Sequence, residues 1–287
     1  MAKSLIPKGY KWALCVSHDV DHLRHYWNLN LLKFWGVSLI EFIYGRITFD
    51  TFIECIRNSF ATENDSWNQI ELLASANKNY QTPATYFFVD SSGRGVDYGS
   101  LECFAAIKKL KAVGIFDIGV HGQTYDGLSY RTMADFELFF STELGGIGEF
   151  LEKKPEGIRM HYLRWRPQFP DAMKKVGFVY DSTEFSDNLK QPYKMNNGLV
   201  EIPLHIMDTY LFSPFYKNLS LADAKDYALK MINRCRKEKK VLNILFHPRH
   251  LSTEFKRQRE WYLWLLELAK NDKTCYKISL GEIAKKV

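Results

Sequence analysis

Eight short apolar runs punctuate the chain: KWALCVS (11–17), ATYFFVD (84–90), FDIGV (116–120), GIRMH (157–161), FVYDS (178–182), LVEIPL (199–204), VLNILFH (241–247) and CYKISL (275–280). They are rich in β-branched and aromatic residues and too short for helices, so they read as buried strands. Longer stretches with helical spacing lie between most of them, at 66–78 after a capping Asp65, 100–112 after Gly99, 133–151, 220–238 and 255–270. Strands that are apolar on both faces, alternating with helices and read as joined without hairpin turns, predict a parallel sheet covered by helices. Seven or eight such repeats in 287 residues fit an α/β fold of the distorted (β/α) barrel type, with seven or eight mainly parallel strands, better than two Rossmann-like domains. With no Pro/Gly/Ser-rich linker and no internal repeat, residues 1–287 read as one barrel domain. The stretch 26–60, YWNLNLLKFWGVSLIEFIYGRITFDTFIECIRNSF, breaks the alternation and reads as inserted helices. Its apolar face has three possible resting places, the barrel, the active-site mouth or a membrane surface, of which packing on the protein is the commonest.

Composition narrows the function classes. The net charge of +6 gathers mainly in RCRKEKK (234–240), the wet end of a helix, and no nucleic-acid-binding motif or Gly-rich phosphate loop accompanies it, so no nucleic-acid partner is expected. The five cysteines lie far apart without C-x-x-C spacing, which argues against a disulfide framework or a zinc ribbon and for reduced, buried thiols. No apolar stretch reaches the length of a membrane span, and the expectation is a cytoplasmic protein, with peripheral membrane contact left open. Neither G-x-S-x-G nor G-x-G-x-x-G follows a strand, which disfavours a serine triad and a nucleotide site. Aromatic residues make up 15% of the chain, enough for an aromatic core and for aromatic-walled clefts as well.

In a parallel barrel the chemistry collects where the strands end. The first strand ends in SHDVDH, giving His18, Asp19, Asp21 and His22; the third ends at His121; the fourth carries Arg159 and His161 and leads to Arg164. The fifth ends at Asp181, the sixth leads to His205 and Asp208, and the seventh to His247 and His250. Seven of the eight histidines fall at such ends, His25 being the exception. Imidazole and carboxylate are favoured ligands of zinc and similar divalent ions and are also the commonest proton-transfer groups, so a metal site with acid/base groups is the economical reading. Taken singly, His18, His22 and His250 read as hydrogen-bonded structural residues. Asp19 and Asp21, two apart in an extended segment, share a face and can meet one ligand.

The series VSHDVD, TPATYFFV, IGVHGQTYD, GFVYDST and LFHP resembles, in order and approximate spacing over residues 11–250, the polysaccharide deacetylases (the nodulation-type deacetylase homology domain, carbohydrate esterase family 4). The resemblance implies a distorted barrel that removes the N-acetyl group of an amino sugar with a divalent metal, often zinc. It assigns Asp19 as general base, Asp21 as metal ligand, His121 as the first histidine of a His-x-x-x-His motif and His247 as general acid. The second motif histidine is replaced by Tyr125, and phenolate is a much less usual zinc ligand than imidazole. His161, in RMHYLRWRP, leaves a strand end at the same mouth and is the candidate for the missing ligand, which makes the expected metal set Asp21, His121 and His161. The form of that motif is similar to one in a divergent branch associated with cell-surface polysaccharides. Arg159 and Asp181 are expected to orient the acid and base.

The implied reaction is hydrolysis of the acetamide of a carbohydrate, with a nucleotide-linked or lipid-linked sugar precursor favoured over a finished wall polymer. Two rivals carry their own expectations. A metal-free carbohydrate-binding protein on the same barrel would use its aromatics as stacking platforms. A metal hydrolase of another C–N amide would keep the metal and change the substrate, since fold does not fix substrate.

Overall fold

The central strand β1 (Trp12–Val20) is buried along its whole length, because it has sheet neighbours on both edges and packing on both faces. Its even-numbered residues Trp12, Leu14, Val16 and Val20 join the large hydrophobic cluster beneath the helices. Ala13 and Cys15 point the other way, into a second cluster that fills the barrel. This period of two also fixes the direction of Ser17, Asp19 and Asp21.

The computed structural model describes residues 5–24, 29–45, 47–60, 66–90, 95–114, 117–123, 132–151 and 153–287. The remaining strands are β2 (Ala84–Phe88), β3 (Ile118–Gly122), β4 (Gly157–Met160), β5 (Tyr180–Asp181), β6 (Tyr193–Lys194), β7 (Val200–Glu201), β8 (Ile206–Met207), β9 (Val241–Leu245) and β10 (Cys275–Lys277). The helices are α1 (Leu29–Ile43), α2 (Phe49–Asn58), α3 (Ile70–Asn79), α4 (Ser100–Val113), α5 (Met133–Gly148), α6 (Phe169–Val176), α7 (Asp208–Phe212), α8 (Leu221–Glu238), α9 (Lys256–Asn271) and α10 (Leu280–Ala284). The sheet order is β6-β7-β5-β4-β3-β2-β1-β9-β8, with β10 added to the first half of β1. Every pair is parallel except β6 with β7.

Strands β7 and β8, at opposite sides of this order, are consecutive in the chain. Ile202 N–H donates to Asp181 O on the β5 side, whereas His205 N–H donates to Asn243 O on β9. Residues 202–205 therefore cross from one end of the sheet to the other and close the barrel. Because of this crossing the predicted run 199–204 holds only β7, near its start, and β8 lies beyond it. The antiparallel pair is a hairpin turned at Asn197-Gly198, where Gly198 has φ +84°. That corrects the expectation that no hairpin joins the strands: Asn-Gly readily supplies the left-handed turn. Helices α4, α5, α8 and α9 match the predicted segments closely, while α3 starts later than predicted, at Ile70; Asp65 lies outside the described residues.

Bulk inside the barrel dictates where glycine is needed. A Cβ on Gly157 would stand 2.0 Å from the Tyr180 ring, and one on Gly119 would stand 2.6 Å from the Phe87 ring. Phe87 and Tyr180, both fully buried, occupy the space that side chains on β3 and β4 would otherwise take, and Phe87 contributes roughly 1.5–3 kcal/mol by leaving water. At the amino-terminal end of the barrel, Leu280 and Ile283 of α10 complete the same cluster, tied by Leu280 N–H to Thr85 Oγ1 at 3.1 Å. The plugged end leaves the carboxyl-terminal mouth for chemistry. All five cysteines are buried and free.

Candidate active site

The inward side chains of β1, β3 and β4 meet at that mouth. Asp21 Oδ1 lies 3.2 Å from His121 Nε2 and 3.2 Å from His161 Nδ1, and the two imidazole nitrogens are 2.9 Å apart. His121 Nδ1–H donates to Arg159 O at 2.8 Å, which fixes the tautomer and turns the Nε2 lone pair toward Asp21. Asp21 Oδ1 is buried and accepts no hydrogen bond among the described residues. Three lone-pair atoms thus converge out of water, and either protons on the imidazoles or a cation must lie among them. Ligand atoms around a tetrahedral zinc with bonds of about 2.1 Å are separated by roughly 3.4 Å, close to the edges of this triangle. The trio fits a divalent ion by geometry and by donor type.

Local backbone shape delivers His161 to this point. It follows β4 directly and opens a one-turn 3-10 helix in which Tyr162 and Leu163 have φ of +56° and +52°. Two successive non-glycine residues in the left-handed region mark stored strain at the mouth. The loop carrying Tyr125 lies outside the described residues, as does His25.

Asp19 sits one step deeper on β1. Arg159, fully buried, donates from Nη1 to Asp19 Oδ1 at 2.9 Å and to Ser17 Oγ at 2.9 Å, and from Nε and Nη2 to Ser182 O and Oγ, both at 2.8 Å. Its guanidinium also lies 4.6 Å from the Phe87 ring centroid. A buried guanidinium with so many partners is held in one pose. Asp19 Oδ2 faces the metal-type cluster, 3.9 Å from His121 Nε2. Asp181, expected to orient the acid and base, bonds neither Asp19 nor His247 among the described residues. Its carboxylate accepts from Thr183 Oγ1 at 2.5 Å, and Thr183 Oγ1 in turn accepts from Met160 N–H at 3.0 Å.

Across the mouth, His247 Nε2 points at Asp21 Oδ2 from 3.5 Å. Its Nδ1 donates to Asp208 Oδ1 at 2.7 Å, and the same carboxylate takes His250 Nδ1 and the His247 backbone N–H, each at 2.7 Å. Burial works against a charged His247, but Asp208 outweighs it, with help from Asp21 and Asp19, and lifts the imidazole to about 9. His250 shares Asp208 yet is pushed down to about 4 by burial. Burial pushes the Asp21 carboxyl up as well, but His161 and His121 overcome it and hold the group well below the ordinary range. Sequence reasoning placed Asp208 and His250 at strand ends, read His250 as structural, and gave neither a part in the chemistry. The signal available was His-Pro-Arg-His, whose 3-10 turn brings residues three apart onto one side.

The other histidines have structural partners. His18 Nδ1–H donates to Phe246 O at 2.7 Å while Nε2 meets Asn77 Nδ2 at 2.7 Å. His22 pairs with Asp97 at 2.8 Å, and His205 ties Lys190 O to the Asn243 N–H. Burial pushes His18 and His205 down to about 4, so both are neutral braces at neutral pH.

No family model and no curated protein sequence matches the chain. Solved structures do. A protein assigned as a polysaccharide deacetylase from Mycobacterium smegmatis superposes with a TM-score of 0.68 at 17% identity, over 100% of this chain and 94% of the other. A Puue allantoinase gives 0.69 at 16% identity over 100% and 93%. A protein assigned as a polysaccharide deacetylase from Pseudomonas aeruginosa PAO1 gives 0.66 at 16% over 96% and 91%. The fold is that of the polysaccharide deacetylases, the one the sequence resemblance implies, and it is shared with an allantoinase.

Proposed function

We propose that this chain is a metal-dependent hydrolase of a C–N amide bond whose substrate is an N-acetylated amino sugar. The observation that carries the reading is the convergence of Asp21, His121 and His161, separated by 2.9–3.2 Å, opposite a histidine held cationic by Asp208. These three residues would hold the ion, zinc being the expected metal. When bound, such an ion supplies a Lewis acid that polarises the amide carbonyl and acidifies water. The oxygen of Asp19 not engaged by Arg159 accepts the proton of the attacking water, and Arg159 holds that carboxylate in place. His247, protonated through Nε2 at neutral pH, donates to the departing amine. Asp181 acts at one remove, holding Thr183 against the backbone of Met160 just ahead of His161.

Two measurements on the purified protein test this: metal content by elemental analysis and acetate release from N-acetylglucosamine oligomers. About one zinc per chain, lost together with acetate release in Asp21→Ala, is the expected result. Metal content and acetate release that both survive Asp21→Ala and His121→Ala would overturn the assignment. The likeness to an allantoinase favours one second reading, a metal hydrolase of a different C–N amide using the same residues, and release of formate or ammonia in place of acetate identifies it.

A further inference from the structure

The helices α1 and α2 depart from the pattern of an ordinary surface helix. Their fully buried positions are polar or small, Ser38, Glu41, Thr51 and Cys55, Phe34, Trp35, Phe42 and Phe52 are half-buried, and a further set of large apolar residues faces outward. On α1 these are Leu32, Leu39, Ile40 and Ile43, the last 68% exposed; on α2 and just after it they are Phe49, 57% exposed, Ile53 and Phe60. Leu32, Leu39, Ile40 and Ile43 lie on one face of α1, and Phe49 and Ile53 are one turn apart on α2. Inside, Glu41 is neutralised by Arg257, and Trp35 Nε1–H bonds Ser59 Oγ at 2.8 Å. The hairpin thus satisfies its polar groups against the protein and presents oil to the outside, and no helix among the described residues is long and apolar enough to cross a membrane.

Between α1 and the barrel mouth runs a cleft of about 470 Å³, which reaches Tyr162, Thr209 and His250 beside the candidate active site. Its wall carries three cations, Lys33, Arg249 and Arg257, and two carboxylates: Glu41, paired with Arg257, and Glu254, which accepts from Asn58, Ser66 and Trp67. Arg249 stacks on Trp67 at 5.2 Å and Lys33 lies 6.0 Å from the ring of Phe215; unlike Arg257, Lys33 and Arg249 have no carboxylate within ion-pair distance among the described residues. Phe215 itself is 71% exposed. A slot with two cations outside any ion pair, Lys33 and Arg249, therefore connects the amide-hydrolysing site to an outward apolar face, on a chain of net charge +6. A second copy seated on that face would not use the two unpaired cations, whereas a bilayer bearing anionic head groups uses both features.

We propose that α1 and α2 dock on an anionic lipid bilayer through this apolar face, and that the substrate is a lipid-linked amino sugar whose phosphate lies between Lys33 and Arg249. The identity of the sugar reaction rests on the function proposed above; the docking does not. Co-sedimentation with phosphatidylglycerol–phosphatidylcholine vesicles tests it. Wild type should bind, and Ile40→Ser/Ile43→Ser/Phe49→Ser should bind at least about tenfold more weakly, because interfacial affinity scales with inserted apolar area. The same variant should keep its thermal midpoint, its metal content and its turnover of soluble N-acetylated oligosaccharide. Dodecyl phosphate should bind wild type and lose about tenfold in Lys33→Gln/Arg249→Gln. Wild type that ignores the vesicles, or a triple variant that binds them equally, overturns the proposal, as does a wild-type dimer that the triple substitution turns into a monomer. Vesicle binding without metal or acetate release would instead sink the deacetylase reading and leave the docking standing.

Discussion

Replacing Asp208 by Asn removes one negative charge from a fully buried position and leaves a side chain of the same shape. His247 is lifted from 6.5 to about 9 against the burial penalty, with Asp208 the largest favourable influence. That lift is worth about 3 kcal/mol, at 1.36 kcal/mol for each pH unit. Buried histidines without such help fall to about 4, as at His18 and His205, so His247 in Asp208→Asn should titrate at or below 6.5. If His247 is the general acid, the alkaline limb of the pH–rate profile moves from near 9 to 6.5 or lower, and turnover at pH 7.5 falls at least about tenfold as the protonated fraction drops from nearly all to under a tenth. Stability follows the same charges with opposite boundaries. The raised pKa of His247 contributes fully below its unfolded value of about 6.5 and is lost as pH rises through 9. Asp208, held below the ordinary carboxylate range by His247 and His250 in spite of burial, contributes above about 4 and is lost as pH falls further. The stability difference between wild type and variant should therefore peak between about pH 4 and 6.5. Histidine NMR titration and the pH–rate profile read the two claims separately. A variant whose His247 titrates near 6 while its alkaline limb stays near 9 would show that His247 is not the acid.

His161→Ala should cost about 10- to 100-fold or more in zinc affinity while the fold is retained, read by competition with a chromogenic chelator; unchanged affinity would point to a ligand elsewhere. Arg159→Met strands the Asp19 carboxylate without its cation and should lower unfolding free energy by about 3–5 kcal/mol in urea titrations, whereas Arg159→Lys should recover only part, lacking the fork of donors. Glu201, facing Asp181 in the sheet, is pushed well above the usual carboxylate range by burial and by the Asp181 charge. A carboxyl raised on folding makes the protein lose stability as pH rises above about 4.5, so Glu201→Gln should flatten that decline between pH 5 and 8, and an undiminished slope would contradict the assignment. Gly157→Ala should destabilise by about 1–3 kcal/mol through overpacking against Tyr180, measured as a lower urea midpoint.

How much of this was legible in the sequence differs between strands and between residues. The long central strands are apolar on both faces because helices cover one side and the filled barrel the other, and such runs stand out. The closing segment 202–205 is not periodic at all. Its backbone bonds to two different strands within four residues, and what fixes it is Asn243, whose Nδ2 reaches Ser182 Oγ, Ile202 O and Pro203 O at 3.2–3.3 Å. A tertiary contact of that kind leaves no local pattern.

The histidines divide by the parity of the strands that carry them. Asp19 on β1 and Asp21 just after it face the barrel mouth, and His18 faces away from it, where its partners are Asn77 and Phe246. A polar residue at a strand end was therefore an ambiguous signal until the inward face was known, and Ala13 and Cys15 already marked that face, since small side chains suit a barrel filled by Phe87 and Tyr180. Counting in twos from Cys15 selects Ser17, Asp19 and Asp21 and rejects His18. Parity does not reach His250, because the 3-10 turn after His247 replaces the period of two by a period of three. Asp208 can hold both imidazoles for that reason: His247 and His250 lie on one side of a single turn, and the carboxylate at the start of α7 faces them both.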